Sequence, residues 1–458
     1  MTRPAALSGF PEWLPAGRRL EQVVLDRLRR TFELHGFGSV ETRAVEPLGE
    51  LLRKGETSQE VYVLRRLQEY SDPSARAGLT ELDERQLGLH FDLTVPFARY
   101  VLEHAGQLNF PFKRYQIQKV WRGERPQDGR FREFTQADID VVGQGVLPFH
   151  YEVELPLVMA EALAGLPIGR VEVRVNNRKL SQGFYLGLGL SDLPAVLRCV
   201  DKLDKIGPAK VAELLVDQAQ ASPAQAQACL DLAQVSGGRA DQVGRAVEEL
   251  ARRHGVVNDQ LAVGLDELTR LLEAAQATSP GAVAADLKIA RGLDYYTGSV
   301  YESVLLGQES LGSICSGGRY DSLASDGAQT YPGVGLSIGV SRLVSRLIGQ
   351  DLVRVTRSAP TAVLVAVADE ASRPQSDQVA QALRARGVPA DVAPTAAKYG
   401  KQIKFADRRS IPYVWFPGSD GPDGSDQVKD IRSGQQVAAD RLSWRPPEED
   451  LWPRLVAD

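Results

Sequence analysis

Two long alternating runs, KRYQIQKVW and EFTQADIDVVG, flank the polar loop GERPQDGR, and no other feature restricts the fold of this chain as tightly. Period-two alternation on both sides of a loop holding Pro126 and Gly129 predicts two antiparallel strands joined by a hairpin connection. Gln118 and Arg122 then share one face, and Gln136, Asp138 and Asp140 share a face of the returning strand. Polar side chains aligned along a strand need water or a ligand to satisfy them. From Lys113 to Arg132 there are seven basic residues against two acidic ones, Glu124 and Asp128, so the loop projects positive charge from the sheet.

The 458 residues suggest about three domains. Helical periodicity over 18–34, with Leu20, Val24, Leu28 and Phe32 four apart, opens the first. Short alternating runs over 40–142 predict mixed or antiparallel sheet, and Ala/Leu/Gln/Glu-rich stretches over about 185–280 predict an inserted helical subdomain. Strand patterns return at LKIARGLDYYTGSVYESV, and GVGLSIGVSRLVSRLIG reads as a strand running into a helix. Residues 1–350 thus read as one domain with an insertion, and 361–458 as a separate α/β domain of βαβαβ pattern.

Charge and composition exclude several classes. With 43% hydrophobic and 25% charged residues the chain is neither disordered nor fibrous. A net charge of −5 means that any nucleic-acid contact comes from local basic patches. Cys199, Cys229 and Cys315 offer no disulfide framework or CxxC knuckle, and the five histidines lack HxxxH or HExxH spacing, so no dedicated metal site is expected. The start, MTRPAALSGFPEWLPAGRR, has no apolar stretch of signal-peptide length, and no run approaches the roughly 20 apolar residues of a membrane span. A cytoplasmic protein without membrane contact is expected.

RYQIQKVWRGERPQDGRFREFTQADIDVVG resembles motif 2 of class II aminoacyl-tRNA synthetases in the form found in histidyl-tRNA synthetases. ARGLDYYTGSVYE resembles the histidine signature of that family, GVGLSIGVSRL its motif 3, and GLHFDLTVPFARYV and SGGRYDSL further family segments in their expected order. KYGKQIKFADRRSIPYVWFPG and QVKDIRSGQQ resemble its anticodon-binding domain. The resemblance implies an α+β catalytic domain with a mainly antiparallel sheet, a helical insertion and a C-terminal α/β anticodon-binding domain. It implies a histidine–tRNA ligase that forms histidyl-adenylate and pyrophosphate from L-histidine and ATP, then transfers histidine to its tRNA. Magnesium would come with ATP, and a homodimer is implied. The alternative is a non-catalytic regulatory paralogue, which tends to lose the phosphate-binding arginines or the C-terminal domain.

By the same resemblance Arg122, Arg291 and Arg342 are the catalytic cations: Arg122 and Arg291 for the α-phosphate and the carboxylate of bound histidine, Arg342 for the γ-phosphate. Guanidinium forks suit phosphate better than ammonium does. Glu124 would accept from the adenine amino group. Asp92, Leu93 and Thr94 of FDLT, with Gln136, would receive the substrate ammonium, while Asp140 and Tyr296, supported by Tyr295, would bracket the imidazole. Arg125 and Arg130 in the loop, and Lys398, Lys401, Lys404 and Arg408 at helical spacing, are the expected tRNA contacts. Trp415 reads as core. Two positions depart from the family pattern. Ser341 stands where a carboxylate often precedes the motif 3 arginine, and in motif 1 Arg43 lies about where a proline is usual, although Pro47 follows.

Overall fold

In a computed structural model of the chain, residues 5–52, 60–67, 86–127, 129–166, 168–290, 295–309, 312–418 and 425–457 are described. The chain divides into two compact units, one of residues 1–11 and 25–346, the other of residues 12–24 and 347–458.

The first unit is built on a sheet whose strands are β1 (Gly38–Ser39), β2 (Phe112–Trp121), β3 (Glu133–Val142), β4 (Val171–Asn177), β5 (Ser236–Gly237), β6 (Val283–Asp286), β7 (Tyr296–Leu305), β8 (Cys315–Tyr320) and β9 (Gly333–Gly339). Their lateral order is β1-β2-β3-β9-β8-β7-β4-β6-β5. Pairing is antiparallel except between β1 and β2 and between β4 and β6. The alternating runs form β2 and β3, paired without a slip from Phe112 opposite Val142 to Trp121 opposite Glu133.

Strand β3 is buried on both faces. Ala137, Ile139 and Val141 are fully buried on one side, and Gln136, Asp138 and Asp140 are also buried on the other. Burying an apolar face is favourable at about 25 cal/mol per Å². A buried polar face is unfavourable unless every group finds a partner, so this second face is where function has to be sought. The helix His150–Ala164 packs on β3, β9 and β4, and the helix Asp259–Thr278 on β4, β6 and β7.

Helices from Leu193 to Thr278 form the helical block, and their ends are set by local chemistry. Asp192 accepts from the Ala195 N–H, Ser222 and Gln225 form a reciprocal capping box, and Asn258 accepts from the Leu261 N–H. In the second unit a five-stranded sheet has the order Ala390–Val392, Val363–Val365, Tyr413–Phe416, Gln427–Asp430, Gln436–Ala438. The first three strands are mutually parallel and the last two antiparallel. Trp415 is wholly buried in the core of this unit.

Candidate active site

Strand register brings the polar residues into rows. Arg114 on β2 lies opposite Asp140 on β3, which lies opposite Gly335 on β9, which lies opposite Gly318 on β8. The next row is Gln116, Asp138, Ser337 and Ser316, and the third pairs Gln118 with Gln136 and Gly339. Rows two residues apart share a sheet face, so the three form one continuous polar surface.

Asp140 anchors that surface. Its Oδ2 pairs with Arg114 Nη2 at 2.7 Å, and its Oδ1 accepts from the Tyr320 hydroxyl at 2.8 Å. Arg114 is itself fully buried, its guanidinium 4.1 Å from the Phe97 ring centroid, and it donates to the Leu93 carbonyl at 3.3 Å. Burial pushes the Tyr320 hydroxyl well above its ordinary pKa, with the Asp140 charge adding to the shift, so it stays a donor. Space for this cluster comes from glycine. A Cβ at Gly335 would lie 2.0 Å from Asp140 Oδ1, and one at Gly333 would lie 2.5 Å from the Tyr320 ring.

Gly335→Ala should therefore destabilise the protein by about 1–3 kcal/mol through overpacking. Gly106→Ala, where nothing lies within 4 Å of the added carbon, should be nearly neutral. Denaturant unfolding of both variants reads the difference, and equal stability would mean that the sheet yields freely around Asp140.

A small crevice of about 20 Å³ lies on this surface, lined by Thr94, Asp138, Asp140, Tyr296 and Ser337 among others. Asp138 is buried, its Oδ1 has no hydrogen-bond partner, and burial pushes its pKa up to about 7. The Tyr295 and Tyr296 rings stand 4.2 Å apart between centroids. Asp92 is buried and accepts from the Val95 N–H at 3.1 Å, which holds the start of the helix Thr94–His104. The Leu93 side chain is core, and its carbonyl is the part turned to the cluster.

A second cleft, of about 270 Å³, is lined by Arg122, Glu124, Phe134, Gln136, Ser337 and Arg342 among others. Gln136 and Ser337 join the two sites: Gln136 Nε2 donates to Ser337 Oγ at 2.9 Å, while Gln136 Oε1 is buried with no partner. Arg122 Nε donates to the Phe91 carbonyl at 3.0 Å, and its guanidinium lies 5.1 Å from the Phe134 ring centroid, so its direction is preset. Arg342 lies in the first turn of the helix Val340–Gly349, which follows β9 directly. Ser341 supports that junction by accepting the Thr135 N–H at 2.9 Å. A serine here stitches β3 to the strand–helix turn, a role a carboxylate could also fill.

The loop between β2 and β3 carries exposed Arg125 and Arg130, and Arg130 Nη1 sits 3.7 Å from Glu124 Oε2. Arg291 lies outside the described residues. Lys398, Lys401, Lys404 and Arg408 are exposed on and just before the helix Tyr399–Arg408, and the last three line a groove of about 440 Å³. Among the described residues no group of three or more His, Cys, Asp or Glu gathers as a metal site. Sequence reasoning put Asp138 on the polar strand face but gave it no role, and it missed Arg114, Ser337 and Tyr320 as members of the site. Tyr320 lies within SGGRYDSL, and strand register was the signal that could have found Arg114 and Ser337.

Residues 9–343 match the family model described as histidyl-tRNA synthetase, and residues 361–443 match that of an anticodon binding domain. A histidine–tRNA ligase of Micrococcus luteus is 57% identical, with 100% of this chain and 99% of the relative covered. One of Bifidobacterium longum is 58% identical over 97% of this chain and 98% of its own. The crystal structure of histidyl-tRNA synthetase from Nostoc superposes with a TM-score of 0.84 at 36% identity, covering 96% of this chain and 97% of that one. An ATP phosphoribosyltransferase regulatory subunit/histidyl-tRNA synthetase from Bacillus halodurans, at 18% identity and a TM-score of 0.69 over 87% of this chain and 96% of that one, shares the fold.

Proposed function

The chain belongs to the histidyl-tRNA synthetase family, and from that premise we propose that histidine and ATP meet where the crevice beside Asp140 joins the cleft beside Arg122 and Arg342. The activity is that of an ATP-dependent histidine–tRNA ligase, and identity of 57% along the full chain favours it over a regulatory paralogue. The observation that carries the site assignment is the polar face of β3, buried yet with Gln136 Oε1 left as an acceptor without a donor. Such a face calls for a polar ligand.

Histidine fits it in three parts. Asp92, Thr94 and the free Gln136 oxygen receive the ammonium, with Leu93 contributing backbone. Asp140, ionised and oriented by Arg114 and Tyr320, accepts an imidazole N–H beside Tyr296, which Tyr295 supports. The carboxylate then turns toward Arg122. As its oxygen attacks the α-phosphate, charge grows on the phosphoryl oxygens and on the leaving pyrophosphate. Arg122 and Arg291 offset the first, Arg342 the second, and Glu124 holds the adenine amino group. No protein nucleophile is required, because fixed cations lower this barrier by being oriented beforehand.

Magnesium is expected to travel with the nucleotide phosphates, since Ser341 is committed to the Thr135 N–H and offers no carboxylate. The tRNA would lie against Arg125 and Arg130 at the acceptor end and against Lys398, Lys401, Lys404 and Arg408 at the anticodon end. We assign the molecule to the cytoplasm as a homodimer. Three buried free thiols and the lack of any described helix long and apolar enough to cross a membrane are compatible with that location.

The test is pyrophosphate exchange into ATP with each of the twenty amino acids. Histidine alone should support it, because a pocket that hydrogen-bonds a polar ring rejects analogues lacking those groups by about 10⁴–10⁵. Exchange with another amino acid, or with none, would refute the assignment.

A further inference from the structure

Asp140 has its charge matched by Arg114 and both oxygens engaged, one by that guanidinium and one by the Tyr320 hydroxyl. Asp138, two residues along the same strand and on the same wall of the crevice, has no such cation bonded to it. Ser337, opposite it on β9, is the hydrogen-bonding neighbour of its carboxyl, and Oδ1 is buried with no partner. A dry, half-satisfied carboxyl is unfavourable in the free protein. Within the crevice it faces whatever ring lies against Asp140.

A neutral imidazole has one N–H and one bare nitrogen. If the N–H is donated to the ionised Asp140, the bare nitrogen needs a donor. We propose that Asp138 is a further specificity-determining residue of the histidine pocket and that it shares a single proton with the bound imidazole. This rests on the reading that the histidine ring lies beside Asp140 and Tyr296. The proton lies either on the carboxyl, as O–H···N, or on the ring, as O⁻···H–N⁺. Both forms hold the same atoms and the same net charge, and no other bond changes. Apolar rings of similar shape leave Asp138 unsatisfied and are rejected.

The other groups facing Asp138 do not compete for this proton. Arg114 on β2 favours the ionised form, and Asp140 on β3 and Asp92 before the helix Thr94–His104 oppose it. Burial raises the Tyr295, Tyr320 and Cys315 protons above their ordinary ranges, so these groups stay neutral near pH 7. Burial likewise holds Asp138 itself near 7, and free histidine titrates at about 6.5. Near pH 8 both partners are therefore mostly deprotonated before binding, and near pH 5.5 both are mostly protonated. The complex holds one proton at either pH. Binding must take up close to one proton near pH 8 and release close to one near pH 5.5.

Calorimetry of L-histidine binding to the full-length protein, in buffers of different ionisation enthalpy, counts these protons. The wild type should take up close to one near pH 8, with Kd rising nearly tenfold per pH unit between about 7.5 and 8.5. Asp138→Asn should lose both the uptake and the slope while still releasing the histidine proton near pH 5.5. A residue that only supported the fold would lower affinity equally at every pH. Wild-type binding without proton uptake near pH 8 overturns the proposal, whether or not the variant folds. If Asp138→Asn keeps the uptake, the shared proton is refuted while the pocket assignment stands. If instead Asp140→Asn leaves histidine affinity unchanged, the pocket assignment fails and takes the proposal with it.

Discussion

Replacing Arg122 by alanine should lower kcat/KM for histidyl-adenylate formation by about 10²–10³, or about 2.7–4 kcal/mol of transition-state stabilisation. The guanidinium is already aimed before substrate arrives, through its Nε bond to the Phe91 carbonyl and its place beside the Phe134 ring. A group oriented by the fold needs no reorganisation when charge appears, and in a partly dry cleft its field is weakly screened. The loss should fall on kcat more than on the KM for ATP, because the charge on the α-phosphoryl oxygens grows only as the transition state forms. Arg122→Lys should recover little, since one ammonium cannot bind carboxylate and phosphate as a planar fork does. Single-turnover adenylation, compared with transfer from preformed histidyl-adenylate, separates the two steps. Near-normal adenylation in Arg122→Ala would remove this residue from the catalytic set.

Removal of the Arg114 guanidinium, as in Arg114→Ala, should destabilise the first unit by about 3–5 kcal/mol, because the Asp140 carboxyl is left at 2% exposure without its cation and must either stay charged and unpaired or take up a proton. The contact with the Phe97 ring is lost as well. Replacing the pair together, Arg114→Met with Asp140→Leu, should recover most of that stability, since a buried ion pair is rarely better for stability than packed apolar groups. The double variant should nonetheless fail to activate histidine. Denaturant unfolding near pH 7 measures the first effect and pyrophosphate exchange the second. A loss below about 1 kcal/mol in the single variant, or active double variants, would show that the pair does not position the pocket. Recovered stability without recovered activity would mean that the ion pair serves recognition and is not needed to hold the sheet together.

Much of this organisation was legible before any coordinates. The β2 and β3 strands, the cationic loop between them and the junction of β9 with the helix Val340–Gly349 all follow from patterns within a few residues of one another. The polar face carrying Gln136, Asp138 and Asp140 could be read from alternation, as could the need to satisfy it.

What alternation could not supply was the identity of the partners across the sheet. Tyr320 reaches Asp140 from 180 positions away, and nothing local distinguishes it from a tyrosine of the core. Arg114 counted only as one more positive charge in a basic stretch, although it is fully buried and neutralises the pocket acid. The glycines at 333 and 335 could be seen as a small-residue run, but not that their missing side chains are filled by the Tyr320 ring and the Asp140 carboxylate. A strand's own sequence sets which side chains share a face, because the pleat has a period of two. Its register against distant strands sets which of them touch, and register is a property of the assembled sheet, decided by the packing of its nine strands together.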